Sequence, residues 1–229
     1  VKTVETSRAL RLATTAMAVA AVVPPAIGAA QRVGMSQEQS QRSTRAFVQC
    51  MVANRKQLSE QYLGATEPAD FAKWRDRLWD NVRCNLPGFP GTGSGFRSFM
   101  MPIDVERGLV AEQLILTGRV TPPTEPAQPA TPAPYQPRWA AVTGRAPAVD
   151  EMADCVAAND PGGVVALLRS DADSDAEKVA FAALGEKFGQ CLVSGATLKA
   201  NRLSMRAALA EALYQRAASP AFNSTAGIQ

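Results

Sequence analysis

The chain has 229 residues and a mass of 24.3 kDa, with 46% hydrophobic and 20% charged residues, enough for one good-sized domain or two small ones and for a folded state. It contains no histidine, which excludes every mechanism built on an imidazole base or an imidazole metal ligand. The formal net charge is +3, but Lys2, Arg8, Arg11 and Glu5 fall within residues 1–30, so the rest of the chain is near +1. No basic stripe is present, and a nucleic acid is not an expected partner.

Lys2, Arg8 and Arg11 stand ahead of an apolar stretch from Leu12 to Ala30 that closes on Ala26-Ile27-Gly28-Ala29-Ala30. A charged start, an apolar centre and a small-residue end predict a secretory signal over residues 1–30, with Ala30 at −1 and Gly28 at −3 of the cleavage site. A retained membrane anchor is the alternative, against which Pro24 and Pro25 interrupt the run and its length is near the lower limit for a span. The mature protein is therefore expected in the periplasm or outside the cell, without stable membrane insertion.

Residues 31–118 read as a first helical unit of three helices. The first is expected over Gln37–Tyr62, bent near Asn54. The second opens at Glu67-Pro68-Ala69-Asp70, carries Phe71, Trp74, Leu78 and Val82 at helical steps, and stops at Leu86-Pro87-Gly88. The loop 88–96 has glycines at 91, 93 and 95, as an anion-cradling nest would. It lacks the lysine of a P-loop and the preceding strand of a dinucleotide site, so it reads as a flexible connection. Phe89, Phe96, Phe99, Met100 and Met101 beside it are expected to cover the first core, an exposed binding patch being the alternative. The third helix starts between Pro102 and Asp104 and runs through Leu116.

Residues 120–137 carry seven prolines and one charge and predict a semi-rigid spacer within a linker over 119–147. The second unit, 148–218, restarts after a break at Asp160-Pro161, where the acid caps the helix and proline fits its first position. Ser174-x-x-Glu177 is a capping box for a helix to Cys191, with Phe181, Leu184 and Phe188 on its stripe. A third helix spans about Asn201–Ala217. Asp171, Asp173 and Asp175 alternate like the start of a calcium loop, but Ala176 stands where glycine is required. The tail 219–229 is expected to fray.

The two units match each other. Cys50-x-x-x-Asn54, Cys84, Gly88 and Arg107-x-x-x-x-Glu112 recur, in order and with similar spacing, as Cys155-x-x-x-Asn159, Cys191, Gly195 and Arg206-x-x-x-x-Glu211. An internal duplication follows. Each unit then needs its own bridge, Cys50–Cys84 and Cys155–Cys191, and an antiparallel helix hairpin brings each pair together. No Cys-x-x-Cys pair supports redox chemistry, and no short chelating pair supports a metal.

Arg107, Glu112, Arg206 and Glu211 are the candidate structural or binding polar residues. Five positions separate arginine from glutamate, so the two lie on different faces of one helix, and each is expected to reach a neighbouring helix. A structural ion pair is the simpler role, and a general acid at Glu112 or Glu211 is the alternative. Asn54 and Asn159 are expected to end or bend their helices through side-chain bonds to the backbone.

The Cys155 start with its Asp160-Pro161 break, the Cys191-Leu192-x-x-Gly195 turn and the ending Leu209-Ala210-Glu211-Ala212-Leu213-Tyr214 resemble exported proteins of alphaproteobacteria, sphingomonads in particular, that carry no assigned function. The resemblance covers mainly residues 150–216. It implies export and supplies no site residues.

The expectation is an all-α protein: two homologous disulfide-stapled three-helix units joined by a Pro-rich spacer, with no catalytic residue, cofactor or metal. The expected function is a non-catalytic interaction module for an envelope protein or peptide. The alternatives are a small apolar ligand held between helices and an envelope glycan hydrolase acting through carboxylates.

Overall fold

The computed structural model describes residues 37–80, 82, 84, 101–127, 137–192, 196 and 200–218, all within a unit that begins at Met35. The expected signal segment, the loop 88–96, the centre of the Pro-rich stretch and the tail lie outside the described residues.

The described elements are helices. α1 (Gln37–Asn54) buries Phe47, Val48, Met51 and Val52 along one stripe. Arg55 breaks it, with φ −134° and ψ 42°, and α2 (Lys56–Gly64) follows. α3 (Pro68–Trp79) begins on proline, whose missing N–H no helical bond needs at that position. After α4 (Ile103–Leu116), a 3-10 turn over Arg138–Val142 leads into α5 (Pro147–Asn159). Then come α6 (Pro161–Arg169), α7 (Asp175–Ala183), α8 (Gly185–Cys191) and α9 (Arg202–Ala218).

Among the described residues, the three helices expected per half thus become four in the first and five in the second, for local reasons. The expected first helix divides at Arg55. In the second half, the stretch Ser174–Cys191 divides at Leu184–Gly185, where glycine lowers helix propensity. The breaks at Arg55 and Asp160 hold differently. The Asp160 carboxylate accepts from Gly163 N at 2.7 Å and caps its own helix. Arg55 instead donates Nη1 to the carbonyls of Arg77 (2.8 Å) and Leu78 (3.2 Å), tying the start of α2 to the end of α3. Half of the expected capping box forms: Glu177 N donates to Ser174 Oγ at 3.1 Å, but the Glu177 carboxylate reaches one residue further back and accepts from Asp173 N at 2.9 Å, while Ser174 N donates to the Asp171 carbonyl.

α4 and α9 make the centre. Every residue of α4 from Val105 to Ile115, and of α9 from Ser204 to Arg216, is buried, so these helices have no solvent face to hold their charges. They pack closest at Gly108: a Cβ there would overlap the Cα, C and O of Ala207. Gly108 and Ala207 each follow the arginine of the Arg-x-x-x-x-Glu motif. α5 packs on α9, and α1 and α2 on α4.

Both bridges form between the expected partners: Cys50–Cys84 (Cα–Cα 5.9 Å) and Cys155–Cys191 (5.6 Å). The Asn54 amide donates to Cys50 Sγ at 3.4 Å, and the Asn159 amide to Cys155 Sγ at 3.3 Å and to the Cys155 carbonyl at 3.0 Å. The role the two asparagines share is therefore to lie over a disulfide. Residues 137–146, at the end of the Pro-rich range, belong to the packed body: Trp139, Val142, Thr143 and Arg145 are all buried.

Candidate functional site

The four motif residues meet across α4 and α9, in a crossed arrangement. Arg107 Nε donates to Glu211 Oε1 at 2.5 Å, while Arg206 donates Nε and Nη2 to the two oxygens of Glu112 at 3.1 and 2.9 Å. Each arginine pairs with the glutamate of the other half. Each also closes a helix end in its own half. Arg107 donates Nη1 and Nη2 to the carbonyls of Tyr62 (2.9 Å) and Leu63 (2.8 Å) at the end of α2. Arg206 Nη2 donates to the Leu168 carbonyl at 2.8 Å at the end of α6. Carbonyls of a last helical turn lack their regular intrahelical donors, and although Tyr62 O also accepts from Ala65 N at 3.4 Å, the guanidinium supplies a shorter bond from inside the core.

A second arginine reaches each glutamate. Arg145 Nη2 donates to Glu211 Oε2 at 2.5 Å, and Arg45 Nη1 donates to Glu112 Oε1 at 2.8 Å. Around Glu211 the circuit is closed. Arg145 Nε donates to Asp150 Oδ1 at 2.6 Å, Arg145 Nη1 to the Asp104 carbonyl at 2.6 Å, and Thr143 Oγ1 to Asp150 Oδ2 at 2.7 Å. Burial pushes the Glu211 carboxyl up, but Arg107 and Arg145 outweigh it and hold the group below its ordinary range. Burial pushes Asp150 up, and there Arg145 and Thr143 do not fully offset it.

Glu112 and Glu211 are 1% and 0% exposed, and each carboxylate is held by two guanidinium groups. Both carboxylates are bonded to arginines inside the core and are not open to a cleft, where a glycan-hydrolase acid would need to stand. Another buried carboxylate, Glu106, accepts from Tyr62 Oη (2.7 Å), Trp79 Nε1 (2.7 Å) and the Nε–Nη2 edge of Arg75. Burial, then Glu106, keeps the Tyr62 phenol well above its ordinary range and so a donor.

Around Glu112 the circuit stays open. Arg206 is complete, since Nη1 also donates to Glu177 Oε1 at 2.9 Å. Arg45 is not: its Nε and Nη2 are shielded from solvent and have no acceptor among the described residues. Burial, reinforced by repulsion from Arg206, holds the Arg45 guanidinium below its ordinary range despite Glu112. Arg45 is also one of the residues that line a cavity of about 200 Å³ between α1, α4 and α9, although its Nε and Nη2 are themselves covered. Met101, Pro102, Val105, Leu109 and Leu203 give it apolar walls, and Ser40, Gln41 and Thr44 join Arg45 on the α1 side.

Spacing had marked Arg107, Glu112, Arg206 and Glu211, and the structure brings all four together. It had passed over Arg45, Glu106, Arg145, Asp150 and Glu177 as members of the same interior. For Arg45 a signal was present: it lies three and seven positions before Val48 and Val52, on the buried stripe of α1, where a lone cation requires a partner. Among the described residues no group of three acidic or cysteine side chains is placed to hold a metal ion, and no helix is long and apolar enough to cross a membrane. Comparison with protein-family models, with curated proteins and with solved structures finds no match to this chain.

Proposed function

We propose that this protein is a non-catalytic helical binding protein of the periplasm or cell exterior, built by internal duplication of a disulfide-stapled unit, and that it takes up a small apolar molecule between α1, α4 and α9. The cavity at Arg45 carries this reading. It has an apolar lining, and it is larger than the roughly 150 Å³ that admits benzene. The crossed pairs Arg107–Glu211 and Arg206–Glu112 support the duplication, because two copies of one motif then complete each other about α4 and α9. Capture of an envelope protein or peptide has less behind it. The large hydrophobic side chains exposed among the described residues, Ile103, Leu116 and Val179, sit at the two ends of α4 and on α7, which forms no single patch.

The test is saturable uptake of toluene by the purified, oxidised protein, followed by NMR. Binding is expected in the wild type and is expected to disappear in Thr44→Phe, whose ring fills the cavity from α1. A wild type that takes up nothing ends this reading. Export is tested separately by recovering the protein from the periplasm or medium and sequencing its N-terminus, with Gln31 as the expected first residue.

A further inference from the structure

The crossed pairs carry a rule about which central helix can face which. Divided at the Pro-rich stretch, the two clusters take Arg45, Arg107 and Glu112 from the first half of the chain and Arg145, Arg206, Asp150, Glu177 and Glu211 from the second. The first half thus brings one cation in excess and the second one anion in excess, and the joined interior is neutral. The pairs Glu106–Arg75 and Asp154–Arg216 are each neutral within one half. Pairing like halves would double the excess, in an interior where an uncompensated charge is strongly destabilising. The crossing point adds a steric condition. A Cβ on Gly108 of α4 would come within 2.2 Å of Ala207 O and 2.3 Å of Ala207 Cα on α9. Alanine already stands at the matching position of the second half, so an α9–α9 crossing in this register would drive a Cβ into backbone. An α4–α4 crossing, glycine on glycine, is opposed by charge alone. Attraction to the right partner is thus joined to a penalty against the wrong one.

We propose that α4 and α9 form a heterotypic recognition interface, by which the first half of the chain binds the second half, of the same chain or of a second copy, and does not bind its own kind. The connection between the halves is then not what holds them together. Val105–Ile115 of α4 and Ser204–Arg216 of α9 are buried throughout, as in an obligate interface that resembles a domain core cut in two. Direct bonds between the halves extend beyond the crossed pairs: Gln215 Nε2 donates to the Leu63 carbonyl at 2.7 Å, and Arg145 Nη1 to the Asp104 carbonyl at 2.6 Å. Each disulfide closes within one half. A cut between residues 127 and 137 therefore severs no bridge and removes none of these contacts.

The experiment inserts a protease cleavage sequence within residues 128–136 of the full oxidised chain and cuts it to completion, as read on a denaturing gel. Native mass spectrometry is expected to find the two fragments together, still paired at about 1 μM. Cut protein with and without an isotope label is then unfolded in urea with the disulfides intact, and the two preparations are refolded as a mixture. First-half–second-half pairs are expected in every combination of labels, and like pairs are expected to be absent. Gly108→Ala in the cut protein is expected to weaken pairing about tenfold, so that its fragments separate where those of the wild type stay joined. Wild-type fragments that separate at about 1 μM, or that recover no pair on refolding, overturn an interface that holds without the connection. Like pairs in amounts comparable to unlike pairs overturn its specificity. A Gly108→Ala protein that pairs as tightly as the wild type overturns the steric part of the rule.

Discussion

The Glu211 and Glu112 clusters start from the same parts and end differently. Each has a buried glutamate, an arginine from the opposite central helix and a second arginine from outside that pair. At Glu211 the outer arginine is itself neutralised by Asp150, and every member is sealed in the core. At Glu112 the outer arginine comes from α1, is partly open, and borders a cavity. One cluster acts as a fastening. The other is a fastening in which two N–H groups of the outer arginine have no acceptor among the described residues. The two clusters differ in residue type as well: in the register that matches Cys50 with Cys155, Arg45 stands where the other half has Asp150.

The sharpest way to break the comparison is to remove each glutamate. Glu211→Gln leaves Arg107 and Arg145 in a dry interior with half their charge uncompensated, and it is expected to cost about 3–5 kcal/mol. Glu112→Gln is expected to cost less. Arg206 keeps Glu177, and Arg45 has the cavity side along which to relax. Urea unfolding of the two variants measures the difference, and equal costs would mean that the clusters are energetically alike.

The disulfides come next and should show no such asymmetry. Their sequence separations are 34 and 36, so the chain-entropy argument assigns each about 3–4 kcal/mol. Paired Cys→Ala replacement in either half is expected to lower stability by similar amounts, read from the same urea curves. A large inequality would place the difference in packing around one bridge, above all in the Asn159 contact to the Cys155 carbonyl that Asn54 does not duplicate.

A smaller effect probes the crossing itself. Gly108 has no room for a Cβ, whereas its counterpart already is alanine. Gly108→Ala is expected to force α4 from α9 and to cost about 1–3 kcal/mol, despite the better helix propensity of alanine. Ala207→Gly should cost only about 1 kcal/mol, the propensity difference. Thermal melts of both variants test this, and a stabilised Gly108→Ala would show that the helices are not in contact there.

Much of this architecture is legible from residue types and local spacing, because helices, caps and bridges are set locally. Pro68, Asp160-Pro161 and Ser174-x-x-Glu177 mark helix starts where they occur, and the repeated cysteine spacing assigns the bridges. The crossed partners are not legible. Arg107 and Glu211 are 104 positions apart, and spacing within one helix only shows that the two motif residues face apart. Arg145 is hidden for another reason: it lies among prolines in a stretch with no periodicity, and burial there comes from tertiary packing against α4. Arg45 had a local signal, a cation on an apolar stripe, but its pairing with Glu112, 67 positions away, is visible only in the packed structure.

The mildest probe is pH, which separates two acids within the sealed cluster itself. The folded state holds Asp150 above its ordinary value of 3.8, chiefly through burial. Protons therefore bind the folded form more readily, and stability rises as pH falls through the raised value. Glu211 behaves oppositely. Burial raises it, but Arg107 and Arg145 together bring it below its ordinary 4.5, so its contribution is complete above that value and is lost as pH falls beneath it. The difference in stability between wild type and Asp150→Asn isolates the first effect, since Asn cannot titrate and can still accept from Arg145. The wild type is expected to gain on the variant as the solution is acidified toward the ordinary carboxylate range. Below about 4.5, both should lose stability together as Glu211 protonates. A difference that stays flat across that range would mean that Asp150 is as well compensated as Glu211, and that burial does not set the two acids apart.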